Sequence, residues 1–216
     1  MKKIIFLLSI VLSISCSSLN NGKIAPGYFQ AYESITDLIF GYDNQIDPQI
    51  IENIPYASIK VRIGKGPEAL MILQRVNGEE YTWVSADEVY IVIKNGKIIK
   101  TQGLPNNLFD KLTSFRDWKD ITDKDVKFIS YFSFRNPELN NLEVSSQYLN
   151  EGKIELQLTF DKKELLLINE SILAESIGWK KTNSYWLDEN NFVWKSTQHI
   201  SPRLPPIYYE VTKKPL

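Results

Sequence analysis

The sequence predicts a mainly β protein: an antiparallel meander that forms a curved sheet, half-barrel or sandwich, with two or three short helices. Three observations carry that prediction. Apolar and polar residues alternate with period two over much of the chain, as they do in half-buried strands. Tight-turn dipeptides, Asn77-Gly78 and Asn95-Gly96, stand between such runs at hairpin spacing. Aromatic residues, which favour the pleated surface of a sheet, are abundant at five Trp, eleven Tyr and ten Phe among 216 residues.

The first element is helical. Tyr28, Phe29, Tyr32, Ile35, Leu38 and Ile39 recur at spacings of three and four, which predicts a helix over 28–40 stopped at Gly41. A second helical turn is expected at Asp47-Pro48, with Asp as N-cap and Pro at the first helical position. Strict alternation then predicts a strand over 56–63, a turn at Gly64-Lys65-Gly66-Pro67 and a return strand over 68–76. Asn77-Gly78 leads into a strand over 80–85, followed by one over 89–93, and Asn95-Gly96 into another over 97–101. Segment 106–112 reads as a helical turn, with Phe115 and Trp118 continuing its apolar side. Further strands are expected over 128–134, 144–149 and 153–160, the last two flanking Asn150-Glu151-Gly152 as a hairpin. A short apolar run over 164–168 is joined through 171–178 to a strand over 180–188. That strand pairs with 192–198 across Glu189-Asn190-Asn191, and the last strand, 207–212, follows Pro202, Pro205 and Pro206.

The N-terminus carries a different signal. Met1-Lys2-Lys3, an apolar run over 4–12 broken by Ser9, and Ser13-Ile14-Ser15 before Cys16 form a secretory leader. The run is too short to span a bilayer as a helix, which needs about 20 apolar residues. Cys16, the single cysteine, stands where a lipoprotein is cut and acylated, and it is expected to carry diacylglycerol and palmitate. An ordinary leader followed by an incidental thiol is the alternative. The expected organisation is a signal peptide over 1–15, a lipidated Cys16 and flexible tether over 16–27, and one β-rich periplasmic domain over 28–216. Removing residues 1–15 takes Lys2 and Lys3 and leaves 23 basic against 26 acidic residues. That balance argues against nucleic acid, which calls for a basic face.

Chemistry is sparse. The sole histidine, His199, gives no metal-ligand spacing, and no Gly-x-Ser-x-Gly elbow nominates a nucleophile. Asp87-Glu88 and Asp188-Glu189 are adjacent carboxylates, but neighbours along a strand point to opposite faces, so spacing does not poise them as a glycosidase pair. The pairs Lys162-Lys163, Lys180-Lys181 and Lys213-Lys214 read as solvated strand ends unless they cluster in space. Tyr81, Trp83, Tyr185, Trp186 and Trp194 read as core before platform, with Tyr81 and Trp83 on one face. No cofactor is expected.

Three segments together resemble a known family. One is Pro55-Tyr56 with Arg62 and Gly66-Pro67. The second is Trp83-Val84-Ser85-Ala86-Asp87 with Asn95-Gly96-Lys97 running to Gly103-Leu104-Pro105. The third is Trp186-Leu187-Asp188 with Trp194-Lys195 and Gln198, then Pro202. With the leader, the chain is similar to the YjbF/GfcB family of group 4 capsule and exopolysaccharide lipoproteins. The resemblance implies an outer-membrane, periplasm-facing lipoprotein that assists capsule or exopolysaccharide assembly or export by binding, not by catalysis. The partners it implies are the membrane through the lipid anchor, an outer-membrane β-barrel protein, periplasmic polysaccharide-export proteins and the polysaccharide itself. It supplies no catalytic residues; the motif positions read as turns and core. Two other readings stay open: a lipid or lipoprotein carrier, and a polysaccharide-modifying enzyme using Asp87 or Asp188.

Overall fold

The computed structural model describes residues 45–115, 117–121 and 127–215; the leader expected over 1–15, Cys16, the tether expected over 16–27 and the helix expected over 28–40 lie outside them. A short helix α1 (Pro48–Glu52) begins where Asp47 accepts from the Gln49 N–H at 2.9 Å, as the Asp-Pro pair predicts. Four of the next strands are β1 (Ser58–Ile63), β2 (Glu68–Asn77), β3 (Glu80–Ser85) and β4 (Tyr90–Lys94). They are followed by β5 (Lys97–Gln102), β6 (Asn107–Thr113), β7 (Lys127–Arg135) and β8 (Leu139–Gln157). The last four are β9 (Lys162–Ala174), β10 (Trp179–Leu187), β11 (Val193–Gln198) and β12 (Ile207–Lys213). All join one antiparallel sheet in the order β5-β4-β3-β2-β1-β12-β11-β10-β9-β8-β7-β6.

The two edges of that order, β5 and β6, are consecutive in the chain, so the sheet curls into a nearly closed barrel with its seam between them. Side chains replace the missing ladder. Leu108 N–H of β6 donates to Thr101 Oγ1 of β5 at 2.9 Å. From the opposite wall, Gln198 Oε1 accepts from Ile98 N–H at 2.9 Å, and its Nε2 donates to the Gly96 carbonyl at 2.9 Å. Tyr209 OH reaches the same carbonyl at 2.7 Å. An edge strand's backbone groups are a liability when left open, and here the far wall satisfies several of them.

Eight strands already enclose enough room for side chains, so twelve demand a filler. The β6–β7 connection supplies it: Phe115 and Trp118 are buried, and Trp118 lies 4.8 Å from the Tyr185 ring, with its Nε1–H donating to the Asn95 carbonyl. Phe132, Phe134, Val144, Ile168, Ile172, Tyr185, Ile207 and Trp83 complete one continuous core with them. Leu158 and Leu165 are buried apart from that core, where the long β8–β9 hairpin returns over the sheet and Thr159 donates through N–H and Oγ1 to Glu210.

Several sequence expectations fail locally. The segment expected as a helical turn over 106–112 is strand β6: Leu108 is fully buried but Leu112 is 60% exposed, so the four-residue spacing does not mark one face. Asn150-Glu151-Gly152 is no hairpin. It is a bulge inside β8, with Gly152 at φ 90°, and both halves of β8 pair with β9. The true turn is 158–161, closed by Leu158 N–H to the Asp161 carbonyl. The connection expected over 171–178 shrinks to a 3-10 turn, Glu175–Ile177, because β9 runs on to Ala174. The hairpin expected at Asn77-Gly78 turns at 78–79, since Asn77 still pairs with Glu80. Asn95-Gly96 is the two-residue turn expected, with φ 48° and 74°.

Gly96 permits the inward bend of that turn, because a Cβ there would sit 2.2 Å from Val193 Cγ2. Gly78, also at positive φ, faces nothing within 4 Å. Gly78→Ala is expected to cost roughly 1–2 kcal/mol from backbone conformation alone. Gly96→Ala should cost a further ~1–3 kcal/mol for the overpacking. Urea midpoints of the two variants measure the difference, and equal losses would contradict the inward-packed turn.

Candidate functional site

The turn between β10 and β11 is organised by one carboxylate. Asp188 Oδ1 accepts from Asn190 N–H at 2.9 Å and Phe192 N–H at 3.0 Å, and Oδ2 accepts from Trp194 Nε1–H at 2.9 Å. Asn191 takes the left-handed conformation, φ 62°, which an Asn tolerates well. The turn separates two half-open clefts and contributes Asn190 and Asn191 to both. The first, about 350 Å³, lies at the barrel mouth over Trp83, Ile93 and Tyr209, beneath Tyr81 and Phe192. The second, about 450 Å³, runs between the β8–β9 hairpin and Trp194, with Lys153, Lys163 and Glu164 along it.

Rings and ammoniums alternate around this saddle. Phe192 and Trp194 meet edge to face at 5.2 Å. Lys214 Nζ lies 4.2 Å from the Phe192 centroid, and Lys163 Nζ lies 4.5 Å from that of Trp194. Lys163 also pairs with Asp161 at 2.6 Å, Lys153 with Glu164 at 3.0 Å and Lys214 with Asp188 at 4.0 Å. Lys163 and Lys214 come from two of the three basic pairs noted in the sequence, and the tertiary fold brings them to one place.

A separate polar cluster lies inside the barrel. Lys97 Nζ donates to Glu170 Oε1 at 3.0 Å and Tyr148 OH at 2.8 Å, with the rings of Phe115, Trp118, Tyr148 and Tyr185 4.5–5.0 Å from it. Glu170 accepts from Tyr148 OH and Tyr185 OH, both at 2.6 Å, and from Asn183 Nδ2 at 3.0 Å. Burial pulls the Lys97 ammonium down to about 8, against the attraction of Glu170. Burial alone would raise the Glu170 carboxyl. The ammoniums of Lys97 and Lys111, with hydrogen bonds from Asn183 and Tyr148, outweigh it and hold that carboxyl well below its usual range. Every polar atom of this pair is engaged within the core, so it reads as architecture.

The motif positions divide between cleft and scaffold. Trp83, Asn95, Gly96, Asp188 and Trp194 converge on the saddle. Leu104 is buried and Pro105 exposed at the seam, and Gly103, at φ 90°, places its Cα so that a Cβ would lie 3.2 Å from Val89. Gln198 seals β5. Lys195 pairs with Glu210 at 3.5 Å, and Trp186 is half-buried on β10. Pro55 and Tyr56 are exposed before β1, and the exposed Arg62 stacks over Tyr208 at 4.8 Å. Asp87 accepts from Ser85 Oγ within its own turn. Sequence reading missed Tyr148, although alternation over the expected strand 144–149 puts it on the inward face with Val144, and Glu170, which lies beyond the run expected over 164–168 and gains its inward parity only in the longer β9. It also missed Phe192 as a cleft wall, for which no local signal exists. Among the described residues no His, Cys, Asp or Glu cluster suits a metal ion, and no helix is long and apolar enough to cross a membrane.

A family model described as group 4 capsule polysaccharide lipoprotein gfcB, YjbF matches residues 32–211. The Escherichia coli K12 protein described as uncharacterized lipoprotein YjbF is 21% identical over 182 residues, covering 81% of this chain and 84% of its own. The lipoprotein GfcB of the same organism is 32% identical over 79 residues, 35% of this chain and 37% of that one. The crystal structure of the hypothetical lipoprotein YmcC from Escherichia coli K12 superposes with a TM-score of 0.70 at 23% identity, over 88% of this chain and 96% of that one, so the two share a fold.

The interior pair yields a pH prediction. Because the folded Glu170 carboxyl titrates below its ordinary value, its stabilisation is fully present above about pH 4.5 and is lost as pH falls through the folded value. Glu170→Gln, which strands the buried Lys97, should cost about 3–5 kcal/mol at pH 7 and flatten the acid limb of stability. Urea unfolding at pH 7 and pH 3 tests both. The paired change Lys97→Met with Glu170→Leu should cost less than Glu170→Gln alone; a larger loss would contradict a pair that specifies geometry more than it stabilises.

Proposed function

The chain belongs to the YjbF family of group 4 capsule polysaccharide lipoproteins, and on that premise we propose that it assists capsule or exopolysaccharide assembly or export by binding, with no bond-breaking of its own. Its place would be the periplasmic side of the outer membrane, held there by lipid on Cys16. The partners in this reading are an outer-membrane β-barrel protein, periplasmic export proteins and the polymer.

The observation that carries binding over catalysis is the use of Asp188. Its carboxylate is spent on two backbone N–H groups and the Trp194 indole, which orders a surface and leaves the group poorly placed as an acid, base or nucleophile. Asp87 is likewise engaged in its own turn. A carrier of lipid acyl chains calls for an apolar hollow, and the core here is filled by Phe115, Trp118, Tyr148 and Tyr185 around Lys97. Filled space and a shaped rim favour contact at the mouth.

Two outcomes are expected. Deleting the gene should lower surface polysaccharide while precursor sugars stay at normal levels, measured by extraction and quantitation of both pools; unchanged surface polymer would overturn the reading. Cys16→Ala should move the chain from the detergent phase to the aqueous phase in phase separation, and unchanged partition would remove the anchor.

A further inference from the structure

The geometry points to a saccharide subsite on the 188–191 saddle, built for a neutral, hydroxyl-rich chain that lies across both clefts; this rests on the binding reading above and names its ligand class. Three observations converge. First, the clefts are continuous in lining through Asn190 and Asn191, and each has the volume usual for a ligand site while staying open along its length. A closed pocket suits a small molecule. Two open clefts that meet over a turn suit a segment of polymer.

Second, the surface offers what a pyranose ring needs. Phe192 and Trp194 are half-exposed and held edge to face at 5.2 Å, and Asp188 fixes both: its carboxylate takes the Phe192 N–H and the Trp194 indole N–H. Sugar C–H faces pack on such rings, while the Asn190 and Asn191 amides, each both donor and acceptor, can meet hydroxyl groups. Trp83, 3% exposed, lines the first cleft as part of its apolar wall.

Third, charge decides between a neutral and a polyanionic ligand. The carboxylates of Glu79, Glu164, Asp188 and Glu189 line the two clefts against the ammoniums of Lys153, Lys163 and Lys214. Each of those lysines already stands by a carboxylate, at 3.0, 2.6 and 4.0 Å in turn. No surplus of positive charge remains for a chain of uronates, and recognition rests on packing and hydroxyl hydrogen bonds.

The test uses the full mature chain and calorimetric titration with hexaoses of glucose, galactose, mannose and N-acetylglucosamine, beside hexagalacturonate. At least one neutral hexaose is expected to bind, with affinity changed less than about twofold between 50 and 500 mM salt, as befits a contact without net charge attraction. Trp194→Ala should weaken it at least about tenfold, the scale of a central aromatic anchor. Asn190→Ala, exposed at the turn tip, should weaken it several-fold at unchanged melting temperature, which separates binding from folding. Binding of hexagalacturonate alone, binding of none of the probes, or undiminished neutral binding by both variants each overturns the subsite. Surface polymer in a strain carrying Asn190→Ala, compared with the deletion strain, separates the two ideas: loss on deletion with no hexaose binding ends the subsite and leaves the export role standing.

Discussion

One buried ion pair ties the seam strand to the far side of the barrel. Lys97, at the first position of β5, reaches across to Glu170 of β9, and Tyr148 of β8 with Tyr185 and Asn183 of β10 complete the shell around them. A twelve-stranded sheet has an easy alternative, which is to stay open with two free edges. Opening the barrel at this seam would part the two charges and break the hydrogen bonds that surround them, so the pair favours the closed form. Replacing such a pair by apolar side chains is often neutral or better, so its use here lies in selecting one closure over others. Gln198, which bonds both Ile98 N–H and the Gly96 carbonyl, and Tyr209 act in the same direction.

Closure in turn shapes the mouth. With β5 drawn inward, the Asn95-Gly96 turn lies against Val193, and its carbonyls are taken up by Trp118, Gln198 and Tyr209. The wall beneath the first cleft is therefore made of residues from β1, β3, β4 and β12, and the β10–β11 turn stands over it. The returning β8–β9 hairpin, clasped to Glu210 through Thr159, forms the far bank of the second cleft. Rigid scaffold and shaped rim are thus one construction: the interior charges fix the seam, the seam fixes the turn, and the turn fixes the rings.

Much of this was legible in the chain. Period-two alternation placed most strands, the Asn95-Gly96 turn formed where its dipeptide stands, and the Asp47-Pro48 start of α1 matched its capping chemistry. The segments that resembled a capsule lipoprotein family belong to a chain the family model matches over 32–211. The failures share one cause. Leu108 and Leu112 have helical spacing yet face opposite environments, and Asn150-Glu151-Gly152 has turn composition yet bulges within a strand, because the neighbouring strands β7 and β9 supplied hydrogen bonds that no local window contains.

What the sequence by itself determined was the local alphabet: which runs are strands, where glycine and asparagine turn the chain, and that Cys16 is its single cysteine. Those properties depend on residues a few positions apart. What only the tertiary structure decided was which distant positions meet: Lys97 with Glu170, 73 residues on, and Gln198 with Gly96, 102 residues back. The same holds for Lys163 with Trp194 and for the two clefts beside one turn. Such meetings follow from barrel closure, whose free energy is set by burial and long-range pairing across the whole sheet, and no short stretch of sequence carries that information.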